Sequence, residues 1–325
     1  MNTQSTLIVY SPFGRLSPVT KHKRKNKYKK HLVHLFILPA ALIYGVFQLY
    51  PLISAALNSF YSFNGFDRVS FVGFQNFITL FTENPYKDFF FNAFSHNWIY
   101  FFVTVITQLI ISLILALIIH SRIKGKEFFK SMFFLPKLLS VIVIGFLFSL
   151  ILNPTRGALN TLLEVIGLEA FTRPWLGDMS TALFSVIFVD SWASIGFSML
   201  IFLAGLQAID KEIFEAAKID GANAITVLFR ITLPMIGPAL MIMTVLVFIG
   251  SFETFEYVFA MQGSSGGPYY STDVLTTFFY RLAFGTVDGG QAIGLGSAVA
   301  VVLFIIIGMA TSIILFVFKR KDFER

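Results

Sequence analysis

Six apolar runs, each long enough to cross a bilayer as a helix, dominate the sequence: residues 35–57, 98–119, 131–152, 182–206, 236–259 and 295–318. At 1.5 Å of rise per residue a helix needs about 20 mostly apolar residues to cover the hydrocarbon layer, so each run is predicted to span it. Hydrophobic residues make up 56% of the 325 and charged residues only 13%, with a mean hydropathy of +0.74. That balance excludes a soluble domain. No stretch sustains the period-two alternation of a membrane barrel. The expected fold class is therefore all-α, a polytopic membrane protein with about six transmembrane helices. The first run is too long for a signal peptide and lacks a small-residue cleavage site, so it is expected to be a retained helix.

Lys and Arg set the expected orientation. Nineteen of the twenty-five fall in four places: the amino-terminal tail, the 119–131 connection, the segment between the fourth and fifth spans, and the carboxyl-terminal tail. Both termini and the fourth-to-fifth connection are thus expected to be cytoplasmic, with 60–97, 153–181 and 260–294 outside. Topology accounts for the net charge of +7, so the basic run 21–30 reads as an anchor to anionic headgroups and calls for no nucleic acid. The outer connections are expected to pack as short helices over the bundle. The domains read as a basic tail, 1–31, and one membrane domain, 32–325. The chain has no Cys, which excludes disulfides and thiolate chemistry.

The connection between the fourth and fifth runs carries the most specific pattern: Glu215-Ala216-Ala217, three residues, Gly221, nine residues, then Ile231-Thr232-Leu233-Pro234. Asp210 is placed to cap a helix whose Ile213, Phe214, Ala217 and Ile219 supply an apolar side, and Gly221 permits the turn that ends it. A second short helix runs toward Leu233. Pro234 disfavours helical geometry at Leu233 and is placed to open the next helix.

This spacing resembles the EAA loop of the membrane subunits of binding-protein-dependent ABC importers, matching it at every defining position. Phe202-Leu203-Ala204-Gly205-Leu206-Gln207, Ile219-Asp220-Gly221-Ala222, Phe71-Val72-Gly73-Phe74-Gln75-Asn76-Phe77, Phe134-Leu135-Pro136 and Gly266-Gly267-Pro268 are similar to the carbohydrate-importer branch, the maltose/glycerol-phosphate type. The resemblance covers all but about the first thirty residues. It implies a multi-pass permease of a bacterial-type cytoplasmic membrane, paired with a second, related permease. Two ATP-binding subunits would dock below, and an extracytoplasmic solute-binding protein would deliver a sugar or oligosaccharide from above. Glu215, Ala216, Ala217, Asp220, Gly221, Ile231, Leu233 and Pro234 would then form the coupling hairpin. Glu215 would make a polar contact to the ATPase, the two alanines would allow close approach, and Asp220 would orient the turn. The chain has no Gly-x4-Gly-Lys-Ser/Thr phosphate loop. ATP and Mg are therefore expected on the partner subunits, no cofactor on this chain, and no enzymatic activity of its own.

For the substrate path the best candidates are Gly250, Ser251, Glu253 and Thr254, because Gly250, Ser251 and Thr254 share one helix side and hydroxyl and carboxylate groups suit sugar recognition. The competing reading is a close helix–helix contact through the same small residues. Trp192, Ser194 and Phe197 on the fourth span are expected to complete the cavity. Lys137 reads as a snorkelling side chain at a span end, Asp190 as either path or structural pair, and Glu256 as a hydrated group. Two other functions stand beside sugar import. One keeps the architecture and carries glycerol phosphate or another polyol. The other is a stand-alone secondary transporter using Asp190 and Glu253 as proton or cation carriers.

Overall fold

The structure is a computed structural model that describes residues 27–121, 123–285 and 292–323. Most of the predicted tail, 1–31, lies outside these residues. The chain divides into two compact units, Met1–Ile53 and Ser54–Arg325.

Among the described residues four helices are long and apolar enough to cross a membrane: α1 (Phe36–Asn58), α3 (Tyr86–His120), α7 (Ala182–Gln207) and the Ile293–Phe318 stretch of α13 (Ile293–Phe323). Two further spans are bent pairs, α4 with α5 (Lys126–Leu138 and Val141–Ile151, 93°) and α9 with α10 (Ala224–Met235 and Gly237–Glu253, 70°), giving six if each pair counts as one. Between them lie a hairpin of β1 (Tyr61–Asn64) and β2 (Asp67–Phe71), α2 (Gln75–Thr82), α6 (Ala158–Val165), α8 (Lys211–Ile219), α11 (Glu256–Gln262) and α12 (Leu275–Phe284). The hairpin pairs Tyr61 with Phe71 and Asn64 with Asp67, antiparallel. Among the described residues it departs from the expected all-helical connections.

Two breaks interrupt the third and fifth spans, which the sequence shows as single apolar runs. Around Pro136 the chain tightens into a 3-10 turn, Leu135–Leu138, and Leu139 becomes extended, so α5 starts afresh at Val141. Leu233 itself is helical, with φ −59° and ψ −44°, contrary to the reading that Pro234 would break the chain there. A π turn over Leu228–Thr232 precedes Pro234, and its wider spacing accommodates the ring. The bend falls instead at Ile236, where Gly237 and Pro238 open α10. The fifth span also ends early. Thr254 is extended, with ψ 118°, and α11 is a separate helix.

Helix α7 is central: its apolar residues run around most of its circumference, interrupted by Asp190 and several buried serines, and it packs against α3, α4, α5, α10 and α11. One glycine makes this packing possible. A Cβ on Gly196 would lie 2.0 Å from the Phe133 carbonyl oxygen, so only glycine lets the α4 backbone press onto α7. Three apolar clusters form the core: Val186, Ile187 and Val258 in one, Met199, Phe202 and Leu206 in the second, Phe248, Phe252 and Phe278 in the third.

Candidate functional site: a coupling hairpin and a polar cavity

Asp210 occupies the N-cap position of α8 in an extended conformation, but its side chain makes no capping hydrogen bond, a correction to the predicted role. The first turn relies on Glu212 and the last on Lys218, each complementing the helix dipole. Ala217 is buried, and Ile213 and Phe214 pack against the Leu206 and Ile209 cluster. Ile219, predicted on the same apolar side, is 86% exposed instead. At helical spacing it lies two residues past Ala217, which turns it to the far face.

The end of α8 is a Schellman turn: Ala222 N–H donates to the Ala217 carbonyl at 2.9 Å and Gly221 N–H to Lys218 at 3.2 Å. Gly221 has φ +76° and open space where a Cβ would sit, so its backbone conformation is the reason for glycine. The next helix is capped by Asn223, whose Oδ1 accepts the Thr226 N–H at 2.8 Å, a cap the sequence reading did not assign. Glu215, Ala216 and Asp220 are exposed, while Ile231, Leu233 and Pro234 are half-buried. Ile219, Ile225 and Phe229 leave the hairpin with an apolar outer face.

A cavity of about 420 Å³ lies between α3, α4, α5, α7 and α10 and reaches the start of α11. Of the predicted path residues, Ser194, Phe197, Gly250, Ser251, Glu253 and Thr254 all line it. Trp192 does not. It points away, 38% exposed, with its ring 5.3 Å from Phe148. Gly250 offers open space to a Cβ, so it is not a close helix contact. The Ser251 hydroxyl donates to its own helix, to the Val247 carbonyl at 2.7 Å.

Lys137 also lines the cavity and donates to Ser194 Oγ at 3.2 Å, which replaces the snorkelling reading. Ser194 Oγ donates in turn to Asp190 Oδ1 at 3.4 Å, and the Tyr100 hydroxyl to Asp190 Oδ2 at 2.8 Å. A cation, a hydroxyl, a carboxylate and a phenol thus form one chain across the cavity wall. Thr104 and Gln108 also line the cavity, and sequence reasoning missed both. Their signal was available: Asn97, Tyr100, Thr104, Gln108 and Ser112 recur every three or four residues, a polar stripe along one side of α3.

These features define a class: a helical membrane protein with a polar cavity among its spans and an ordered, exposed hairpin at one end. The chain belongs to the family described as binding-protein-dependent transport system inner membrane component, which matches residues 108–321. It is 36% identical over 280 residues to the probable ABC transporter permease protein YurN of Bacillus subtilis, covering 85% of this chain and 92% of the relative. It is 35% identical over 287 residues to the arabinooligosaccharides transport system permease protein AraP of the same organism, covering 87% and 89%. The fold matches a bacterial ABC transporter involved in import of the acidic polysaccharide alginate, with TM-score 0.75, 22% identity, 90% of this chain and 96% of that one. It also matches that importer in complex with an alginate pentasaccharide-bound periplasmic protein, with TM-score 0.73, 22% identity and coverages of 89% and 93%.

Proposed function

We propose that this chain is the permease subunit of an ATP-driven importer that translocates a sugar or oligosaccharide delivered by an extracytoplasmic solute-binding protein. The observation that carries the reading is the pairing of a polar cavity inside the spans with an ordered hairpin at Glu215–Gly221 whose outer face is free. The arabinooligosaccharide relative and the alginate importer complexed with its periplasmic protein support the carbohydrate and the binding protein. The hairpin receives an ATP-binding subunit. Closure of the ATPase pair then moves α8 as a rigid lever against the bundle, so that the cavity alternates between two faces. A second, related permease completes the path, and the hairpin and both termini face the cytoplasm.

The experiment is uptake into proteoliposomes containing this chain, its partner permease and the ATPase subunits, with the solute-binding protein supplied. ATP-dependent sugar accumulation that disappears when the ATPase subunits are omitted is expected. Uptake that persists without them would identify a stand-alone secondary transporter.

A further inference from the structure

The charge on the cavity wall carries a statement about what passes. Three carboxylates, Asp190, Glu253 and Glu256, line the cavity against a single cation, Lys137. Asp190 and Lys137 are joined through Ser194, at 3.4 and 3.2 Å, and largely offset each other. Glu253 and Glu256 are exposed to the cavity, and among the described residues neither forms an ion pair. A second observation marks the same space as a ligand site. Thr104 is 3% exposed, lines this cavity, and its hydroxyl has no hydrogen-bond partner. A buried hydroxyl left unpaired costs free energy that a passing polyhydroxyl solute can return.

We propose that Glu253 and Glu256 make this path selective for uncharged saccharides and repel anionic ones, a reading that rests on the sugar-import function above. Hydroxyl groups of a neutral sugar donate to the two carboxylates and to Asp190, and accept from Lys137 and Thr104. A uronate or phosphate ester brings an anion to a wall that already carries excess negative charge. At roughly 10 Å and an effective dielectric near 20, each uncompensated carboxylate disfavours such a solute on the order of tenfold. The same charge disfavours glycerol phosphate, the alternative cargo the sequence left open.

Two measurements test this and separate its failure from that of the sugar-import reading. In the first, the complete importer in liposomes receives ATP and its solute-binding protein with a panel of neutral malto-, arabino- and galacto-trisaccharides. Absence of ATP-dependent uptake for every member removes the sugar-import reading itself. In the second, the detergent-purified complex without the binding protein is offered a neutral trisaccharide and its C6-oxidised uronate, with bound signal read by saturation-transfer NMR. The wild type is expected to favour the neutral form at least tenfold, and the E253Q/E256Q variant to raise the uronate-to-neutral ratio about tenfold or more. A wild-type ratio near one, or a ratio that moves less than twofold in the variant, overturns the proposal. Loss of the second permease on purification of the variant also overturns it, because the two carboxylates would then belong to the subunit interface.

Discussion

Asp273 and Arg281 form a buried two-pronged ion pair, with Nη1 donating to Oδ1 at 2.6 Å and Nη2 to Oδ2. The Thr277 hydroxyl adds a third bond to Oδ1 at 2.6 Å, and the guanidinium stacks 4.9 Å from the Tyr270 ring. The pair ties α12 to a loop in which Tyr269 and Tyr270 adopt φ +49° and +60°, a conformation that needs external support in residues with a Cβ. Burial pushes the Asp273 carboxyl up, while Arg281 and Thr277 pull it back.

Removing one partner should therefore cost more than removing both. R281M leaves a buried carboxylate and is expected to lower stability by about 3–5 kcal/mol, whereas D273L/R281M should recover much of that loss. Thermal unfolding of the wild type, D273L, R281M and D273L/R281M measures this; an additive double variant would refute it. The pH dependence has a defined sign. Without Arg281, burial alone raises the folded-state pKa of Asp273, so stability is present at acidic pH and lost as pH rises through it. R281M should melt higher at pH 5 than at pH 7.5.

Gly221 is required for its left-handed φ and not for space. Gly221→Val should strain the Schellman turn by about 1–2 kcal/mol and reorient the hairpin while the spans still fold. Glu215→Lys changes only the exposed face. Both variants are expected to keep normal membrane insertion but to lose substrate-stimulated ATP turnover in the assembled complex. Turnover at the wild-type rate in either would remove the docking role.

Asn97 joins three elements in the core. Its Nδ2 donates to the Ser251 carbonyl at 2.8 Å and its Oδ1 accepts the Leu275 N–H at 2.9 Å, so α3 holds both the cavity-lining turn of α10 and the start of α12. Asn97→Leu leaves a buried carbonyl and a buried N–H unpaired, at about 1–3 kcal/mol each. The expected result is a lower melting temperature together with weaker saccharide binding. Unchanged melting would mean that neither bond matters.

How far the sequence revealed this arrangement depends on the range of each interaction. The spans are legible because hydropathy is local, and the hairpin because Glu215, Gly221 and Pro234 each act within a turn of themselves. The bend expected at Leu233 falls at Ile236 and the break beside Pro136 was not read at all, because a proline announces a disturbance while neighbouring geometry decides where it is absorbed: an extended Leu139 in one case, a π turn and then Ile236 in the other. Lys137 and Asp190 stand 53 residues apart in the sequence. No periodicity relates them, and only the packing of α4 on α7 brings the ammonium to Ser194. The α3 stripe was visible as a pattern, but its direction was not, since a helix in a bundle has several faces that can be buried. Ile219 illustrates the same limit on a smaller scale.

Two glycines on the helices that line the cavity should respond in opposite ways to one added methyl group. At Gly196 the methyl carbon would fall 2.0 Å from the Phe133 backbone oxygen, and backbone cannot swing aside as a side chain can. Gly196→Ala should force α4 off α7, at about 1–3 kcal/mol or more, and displace Lys137 from Ser194 with it. At Gly250 the methyl meets nothing within 4 Å, so Gly250→Ala should fold and melt like the wild type. The larger Gly250→Phe should still assemble with its partners yet obstruct the path, seen as retained co-purification with sugar uptake reduced at least tenfold. Uptake by Gly250→Phe at the wild-type level would place the route elsewhere, and a wild-type melting temperature for Gly196→Ala would show that α4 is free to move from α7.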